Sequence, residues 1–178
     1  WRETDTAFMS ALSDLLELPE TEKEARGLSY TPREIFQQPA TWETTGQIFR
    51  ERRDEIAAFL SSAGVLGPGA GSLTVYLVGA GTSDYIGRSL TRLLRKQWRC
   101  EVQAVPSTDL LTNFDEFVLA QRSYLLISFS RSGDSPEGVA VLEQALRNYP
   151  AMRHVIVSCN RAGRMMREFT GRENVCGI

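Results

Sequence analysis

Ile127-Ser128-Phe129-Ser130-Arg131-Ser132-Gly133-Asp134-Ser135-Pro136-Glu137 is the stretch on which the reading of this chain turns. The apolar run 124–127 reads as a buried parallel strand, which then breaks into four serines and opens a helix. Ser135-Pro136 reads as N-cap and first helical residue, because proline there loses no needed N–H and arrives with a helical φ. The serines therefore fall at a strand-to-helix turn. First-turn helical N–H groups lack partners, and the helix dipole adds partial positive charge, so an anion is welcome at such a turn. Hydroxyls on Ser130, Ser132 and Ser135 would add donors, and Gly133 lets the backbone turn tightly and approach a ligand. Serine and glycine also gather at βα turns for capping alone, so one such loop does not by itself establish a ligand site.

The neighbouring pattern supplies a second loop. Strands are expected at 73–78, 101–105, 124–128 and 155–159, with a fifth beginning within 174–178. Helices are expected at 83–98, 136–148 and 161–169, and the segment 106–119 reads as a loop with short helices. Alternation of this length predicts an α/β fold, a doubly wound five-stranded parallel sheet with right-handed crossovers, and the order taken for it is the flavodoxin-like 2-1-3-4-5. The first strand ends in Val78-Gly79-Ala80-Gly81-Thr82-Ser83-Asp84, another glycine-and-hydroxyl turn entering a helix. In that sheet order strands one and three are neighbours at the switch point, so both polar loops face one crevice. Their convergence strengthens the anion-site reading, with the anion over the helix starting at Ser135 and contacts from Ser83, Ser130 and Ser132.

Ahead of the sheet, the chain reads as helical. Phe8, Leu12, Leu15 and Leu16 repeat at helical spacing within 6–18, and Pro19 ends that pattern. Residues 20–29 form a polar connector. Thr31-Pro32-Arg33-Glu34 reads as a capping box opening a short helix that Pro39 ends. One long amphipathic helix follows from about Thr41, turning Trp42, Ile48, Phe49, Ile56, Phe59 and Leu60 inward and closing at Gly64. The Gly/Pro-rich stretch 65–72 reads as a linker. The expected organisation is a helical extension, 1–64, and a sheet domain, 65–178.

Composition bounds the function. At 178 residues, 42% apolar and 24% charged, the chain can bury a substantial core. A net charge of −2 and a pI near 5.6 argue against a nucleic-acid partner, which calls for a basic face. No stretch is long and apolar enough to span a bilayer, and the start Trp1-Arg2-Glu3-Thr4-Asp5 does not read as a signal peptide. Cys100, Cys159 and Cys176, odd in number, far apart and in expected strands, read as buried thiols of a reducing cytoplasm.

Competing motifs fit less well. The third glycine of a dinucleotide fingerprint would fall at Asp84, and no acidic residue ends the second strand to hold a ribose. A Walker A loop needs a lysine that the sequence after Gly79 lacks. Ser128 stands where a nucleophile elbow requires glycine. The single histidine, His154, starts the fourth strand at the end opposite the loops, and reads as structural or surface. A flavin phosphate loop, also rich in Ser and Thr, remains open.

These two loops resemble the phosphosugar-binding loops of the sugar isomerase (SIS) domain family. The N-terminal run Tyr30-Thr31-Pro32-Arg33-Glu34-Ile35, followed by Gln38-Pro39 and Trp42, is similar to the AgaS-type members, which are galactosamine-6-phosphate deaminase/isomerases or tagatose-6-phosphate ketose/aldose isomerases. The resemblance implies that Thr82, Ser83, Ser130, Arg131, Ser132 and Ser135 contact the sugar phosphate while Gly81 and Gly133 shape the loops. Ala80 stands where glucosamine-6-phosphate synthase has cysteine, which suits the AgaS type. It further implies a hexose 6-phosphate substrate, no cofactor and no metal, a homo-oligomer, and a second SIS half, absent from this chain, that carries most of the acid/base residues. The implied chemistry is ring opening, proton abstraction at C2, an enediol or enolamine, and proton return at C1, with ammonia released from an amino sugar. Asp84 and Asp134 lie near the loops, but each reads better as a helix-terminal or bracing carboxylate, and the base is left unassigned. A non-catalytic phosphosugar-binding regulatory module is the alternative to the enzyme.

Overall fold

Burial on both faces accounts for the central strands. In the computed structural model, which describes residues 11–65, 70–119 and 121–178, β1 (Leu73–Gly79) is buried at all seven positions, as a strand covered on both sides must be. With β2 (Glu101–Pro106), β3 (Ser123–Ser130), β4 (Arg153–Ser158) and β5 (Val175–Gly177) it forms one sheet of order β2-β1-β3-β4-β5. Every pairing is parallel. The expected α/β architecture and strand order are both observed.

Side-chain alternation divides the core into two layers. Val75, Leu77, Leu125, Ile127 and Val155 face one way, packed with Ala63, Val65 and the half-buried Phe59 and Leu60 of α5 (Arg53–Ser62) and Leu90 and Leu94 of α6 (Thr82–Trp98). Tyr76, Val78 and Leu126 face the other way, against Leu110 of α7 (Ser107–Thr112), Phe114 of α8 (Phe114–Phe117) and Val141 and Ala145 of α9 (Pro136–Asn148). Ile156 and Val175 continue that second layer against Leu142 and against Met165 and Phe169 of α10 (Arg164–Phe169).

The chain divides into two compact units, one up to Asp54 and the other Glu55–Ile178. The first contains α1, helical through residues 11–17, then α2 (Glu20–Ala25), α3 (Thr31–Phe36) and α4 (Gln38–Glu51). The start of the first expected helix, including Phe8, lies outside the described residues. Leu12 is buried on α1.

Several local expectations are corrected here. The polar connector contains α2, whose acidic first turn, Glu20 and Glu22, suits a helix N-terminus. Thr31 does not cap α3, because it is already helical and the N-cap is Tyr30 with no side-chain cap bond. Glu34 instead accepts a hydrogen bond from Gln37 at 2.9 Å. Pro39 opens α4 rather than ending α3, since proline is tolerated in a first turn. The single long helix is two, broken at Arg52. Ile56, Phe59 and Leu60 belong to the sheet unit, where Phe59 and Leu60 pack on the sheet core and Ile56 is buried, whereas Trp42 and Phe49 belong to the other unit and are 67% and 53% exposed. Val65 is core, not linker, and residues 66–69 of that stretch lie outside the described residues. Cys100 and Cys176 are buried, but Cys159 is exposed just past β4.

Candidate functional site

Two chain reversals at adjacent strand ends build the site. β1 and β3 are hydrogen-bonded neighbours with Val78 paired to Ser128, so their C-terminal loops emerge side by side, about 4.8 Å apart at the strand level.

The first loop is held by close backbone packing. A Cβ on Gly79 would lie 2.6 Å from the Ser83 carbonyl carbon and 2.8 Å from the Asp84 nitrogen, so only glycine lets α6 start directly on the strand end. Gly81, the N-cap of α6, adopts φ +55°, a conformation that L side chains rarely take. The Ser83 N–H donates to the Ala80 carbonyl at 3.1 Å and the Asp84 N–H to the Gly81 carbonyl at 3.2 Å. Thr82 is exposed and Ser83 half-buried at the rim. Asp84 is buried beneath them, and its Oδ2 accepts the Arg88 Nε–H at 2.6 Å. Placed in the first turn of α6, this carboxylate lies where the helix dipole favours it.

The second loop uses its own serines. β3 runs to Ser130, two residues beyond the expected strand, so Ser130 closes the strand instead of lying in the turn. Its buried Oγ accepts the Gly133 N–H at 3.0 Å. Ser132 Oγ accepts the Asp134 N–H at 3.2 Å. Both serine oxygens thus brace the turn, while each hydroxyl keeps its hydrogen to donate. Gly133 sits at φ +69°. Ser135 is the N-cap of α9 and Pro136 its first residue, as the sequence predicts, yet no side chain caps that helix. Its first-turn N–H groups, which the helix cannot satisfy internally, are left to an external acceptor. Arg131 and Ser132 are exposed.

The structure brings together Gly81, Thr82, Ser83, Ser130, Arg131, Ser132, Gly133 and Ser135 at one end of the sheet through the neighbouring strands. Of Asp84, Asp134 and His154, the first two already hold partners and the third is remote, although Asp84 Oδ1 has no partner among the described residues. Asp134 Oδ1 accepts the Arg164 N–H at 2.7 Å, bracing the start of α10. His154 pairs in register with Leu126, four residues before Ser130, which places it about 13 Å down the strands from that serine. It is fully buried rather than on the surface, and burial lowers its pKa to about 4. Neither ring nitrogen has a hydrogen-bond partner among the described residues.

The sequence pattern gives no role to Ser128, whose buried hydroxyl beside Val78 has no partner among the described residues. Nor does the two-loop reading include the third turn at this end of the sheet, 159–163, which its Asn and Gly residues could have signalled. Three clefts of about 350, 510 and 400 Å³ are lined by other parts of the sheet unit, such as Phe59 and Arg153, Ala151 and Arg172, and Tyr76 and Arg122. None of the three includes a residue of either loop.

No protein-family model matches the chain. Over 143 residues it is 39% identical to the AgaS protein of Streptomyces coelicolor, covering 80% of this chain and 36% of that one. An Escherichia coli protein named D-galactosamine-6-phosphate deaminase AgaS is 34% identical over 150 residues, 84% of this chain and 38% of its own length. The crystal structure of tagatose-6-phosphate ketose/aldose isomerase from Escherichia coli superposes with a TM-score of 0.74 at 34% identity, covering 82% of this chain and 39% of that one. The chain spans little more than a third of the length of these relatives.

Proposed function

Because this chain belongs to the AgaS type of the SIS domain family, we propose that its two loops hold the phosphate of a hexose 6-phosphate undergoing aldose–ketose isomerisation or deamination. The observation that carries this is the pairing of two glycine-and-hydroxyl turns on adjacent parallel strands, each opening a helix of the same sheet unit. Gly81 and Gly133 shape the turns. Thr82, Ser83, Ser130, Ser132 and Ser135 offer neutral donors, α9 offers backbone N–H groups, and Arg131 offers an exposed positive charge. Galactosamine 6-phosphate, converted to tagatose 6-phosphate and ammonia, is the substrate we favour. The ring opens, a base takes the C2 proton, the enolamine is reprotonated at C1, and water then displaces ammonia from the resulting C2 imine.

The phosphate site anchors the sugar, and its energy holds C1 and C2 in place for a base. That base must come within hydrogen-bond reach of the C2 proton. Asp84 is engaged by Arg88, Asp134 by the Arg164 N–H, and His154 lies at the wrong end of the strands. This supports a composite site in which a second SIS half or a second subunit supplies the base. We place the protein in the cytoplasm as a homo-oligomer. The same observations favour, as a second reading, a phosphosugar-binding module without turnover.

Calorimetry with galactosamine 6-phosphate, tagatose 6-phosphate and inorganic phosphate tests the binding. Saturable binding of the sugar phosphates is expected, with no steady ammonia release by residues 1–178 alone. Absence of binding would refute the phosphate site, and turnover would place the base within this chain.

A further inference from the structure

The turn after β4 and the start of α10 touch the second loop at Ser132, Gly133 and Asp134. The Gly133 carbonyl accepts the Met165 N–H at 2.8 Å, and the Ser132 carbonyl accepts an Asn160 Nδ2–H at 2.9 Å. A Cβ on Gly163 would lie 2.5 Å from the Ser132 oxygen and 2.8 Å from Gly133 Cα, so the two turns meet with only a hydrogen between them.

These contacts complete a pattern that Ser130 and Ser132 begin. The peptide joining Ser132 to Gly133 is held at both ends, its carbonyl by Asn160 and its N–H by Ser130 Oγ. The next peptide is held at both ends too, its carbonyl by the Met165 N–H and its N–H by Ser132 Oγ. Each clamped plane fixes the direction of its neighbours, because a peptide unit is rigid and only φ and ψ turn. Asn160 is itself oriented: its Oδ1 accepts the Ala162 N–H at 3.0 Å and its backbone N–H donates to Ser158 Oγ at 3.1 Å.

We propose that Asn160 is a positioning residue for the anion site: by holding the Ser132 carbonyl it keeps the second loop in the one arrangement that aims its donors outward. Asn160 acts through the loop and does not touch the phosphate. The inference rests on the phosphosugar reading for its ligand, but the clamp is measurable without one.

The test compares wild type, Asn160→Ala and Asn160→Asp, with Val102→Ala in β2 as a control for general loss of stability. Asn160→Asp keeps the acceptor that forms the turn and removes the donor that holds Ser132. Amide hydrogen exchange is read at Gly133 and Asp134 without ligand, and calorimetry is run with galactosamine 6-phosphate at two salt concentrations, so that the added charge of aspartate can be separated. We expect both Asn160 variants to lose protection at these two amides and to bind about tenfold more weakly, a change typical of one lost hydrogen bond in a preorganised site. Val102→Ala should keep the wild-type affinity. Unchanged protection at Gly133 in both Asn160 variants overturns the proposal. So does an affinity loss no larger than that of a Val102→Ala variant of equal stability. If wild type binds no sugar phosphate, the functional reading fails, and the exchange data still decide the clamp.

Discussion

Ser130 and Ser132 each have a hydroxyl with two tasks, accepting a loop N–H and, on our reading, donating to the phosphate. Replacing both by alanine should weaken sugar-phosphate binding by roughly 1–3 kcal/mol per lost charge-assisted bond. Ser130→Ala should also cost stability, because it strands the Gly133 N–H in a buried setting. Calorimetry and thermal melting separate the two effects, and unchanged affinity in the double variant would refute the phosphate role. His154 makes a different prediction. Its folded pKa of about 4 lies below the unfolded value of 6.5, so the folded state resists protonation. Its contribution is intact above pH 6.5 and is lost as pH falls toward 4, a change on the order of 3 kcal/mol. No second histidine can mimic this effect. His154→Leu removes two unpartnered nitrogens and should melt at or above the wild-type temperature, with a shallower fall between pH 6.5 and 4. An identical pH profile in the two proteins would contradict the assignment.

At the level of elements, the loops depend on where backbone must pass backbone. Gly133 combines φ +69° with a would-be Cβ 3.1 Å from both Gly163 Cα and Ser158 Oγ. Gly133→Ala should therefore cost about 1–3 kcal/mol in strain and crowding. The loss should show as a lower melting temperature together with weaker phosphosugar binding, since the same turn carries both. A variant as stable and as tightly binding as wild type would mean the turn can re-form another way. The neighbouring elements show how packing overrides local pattern. α4 and α5 share one continuous apolar period in sequence, but only the part from Glu55 onward has a sheet to bury against within its own unit.

For the whole molecule, the exposed aromatic residues of the helical unit bear on assembly. Tyr30, Phe36, Trp42 and Phe49 are all largely exposed over a short segment, more than isolated surface hydrophobes require. We expect self-association at micromolar concentration, reduced when Trp42 and Phe49 are both changed to glutamate. Sedimentation equilibrium measures this directly. A monomer with wild-type sequence, or an oligomer indifferent to both substitutions, would remove these residues as the cause.

Periodicity and turn chemistry determined much of this protein in advance. The buried run 124–127, the Ser135-Pro136 helix start and the β/α alternation were enough to read a parallel doubly wound sheet, because short right-handed crossovers leave few topologies, and the flavodoxin-like order followed from that class. The two polar loops were legible for the same reason: a glycine-and-hydroxyl turn is a local signal, and the order placed both at one end. Tertiary structure decided what depends on distant partners. Whether Trp42 is buried, whether the stripe from Trp42 to Leu60 is one helix or two, and whether His154 is covered all depend on which surfaces meet, information that hydrophobic period does not contain. The clamp of Asn160 on Ser132 joins residues 28 positions apart. It exists only because β4 lies beside β3 and brings the third turn against the second.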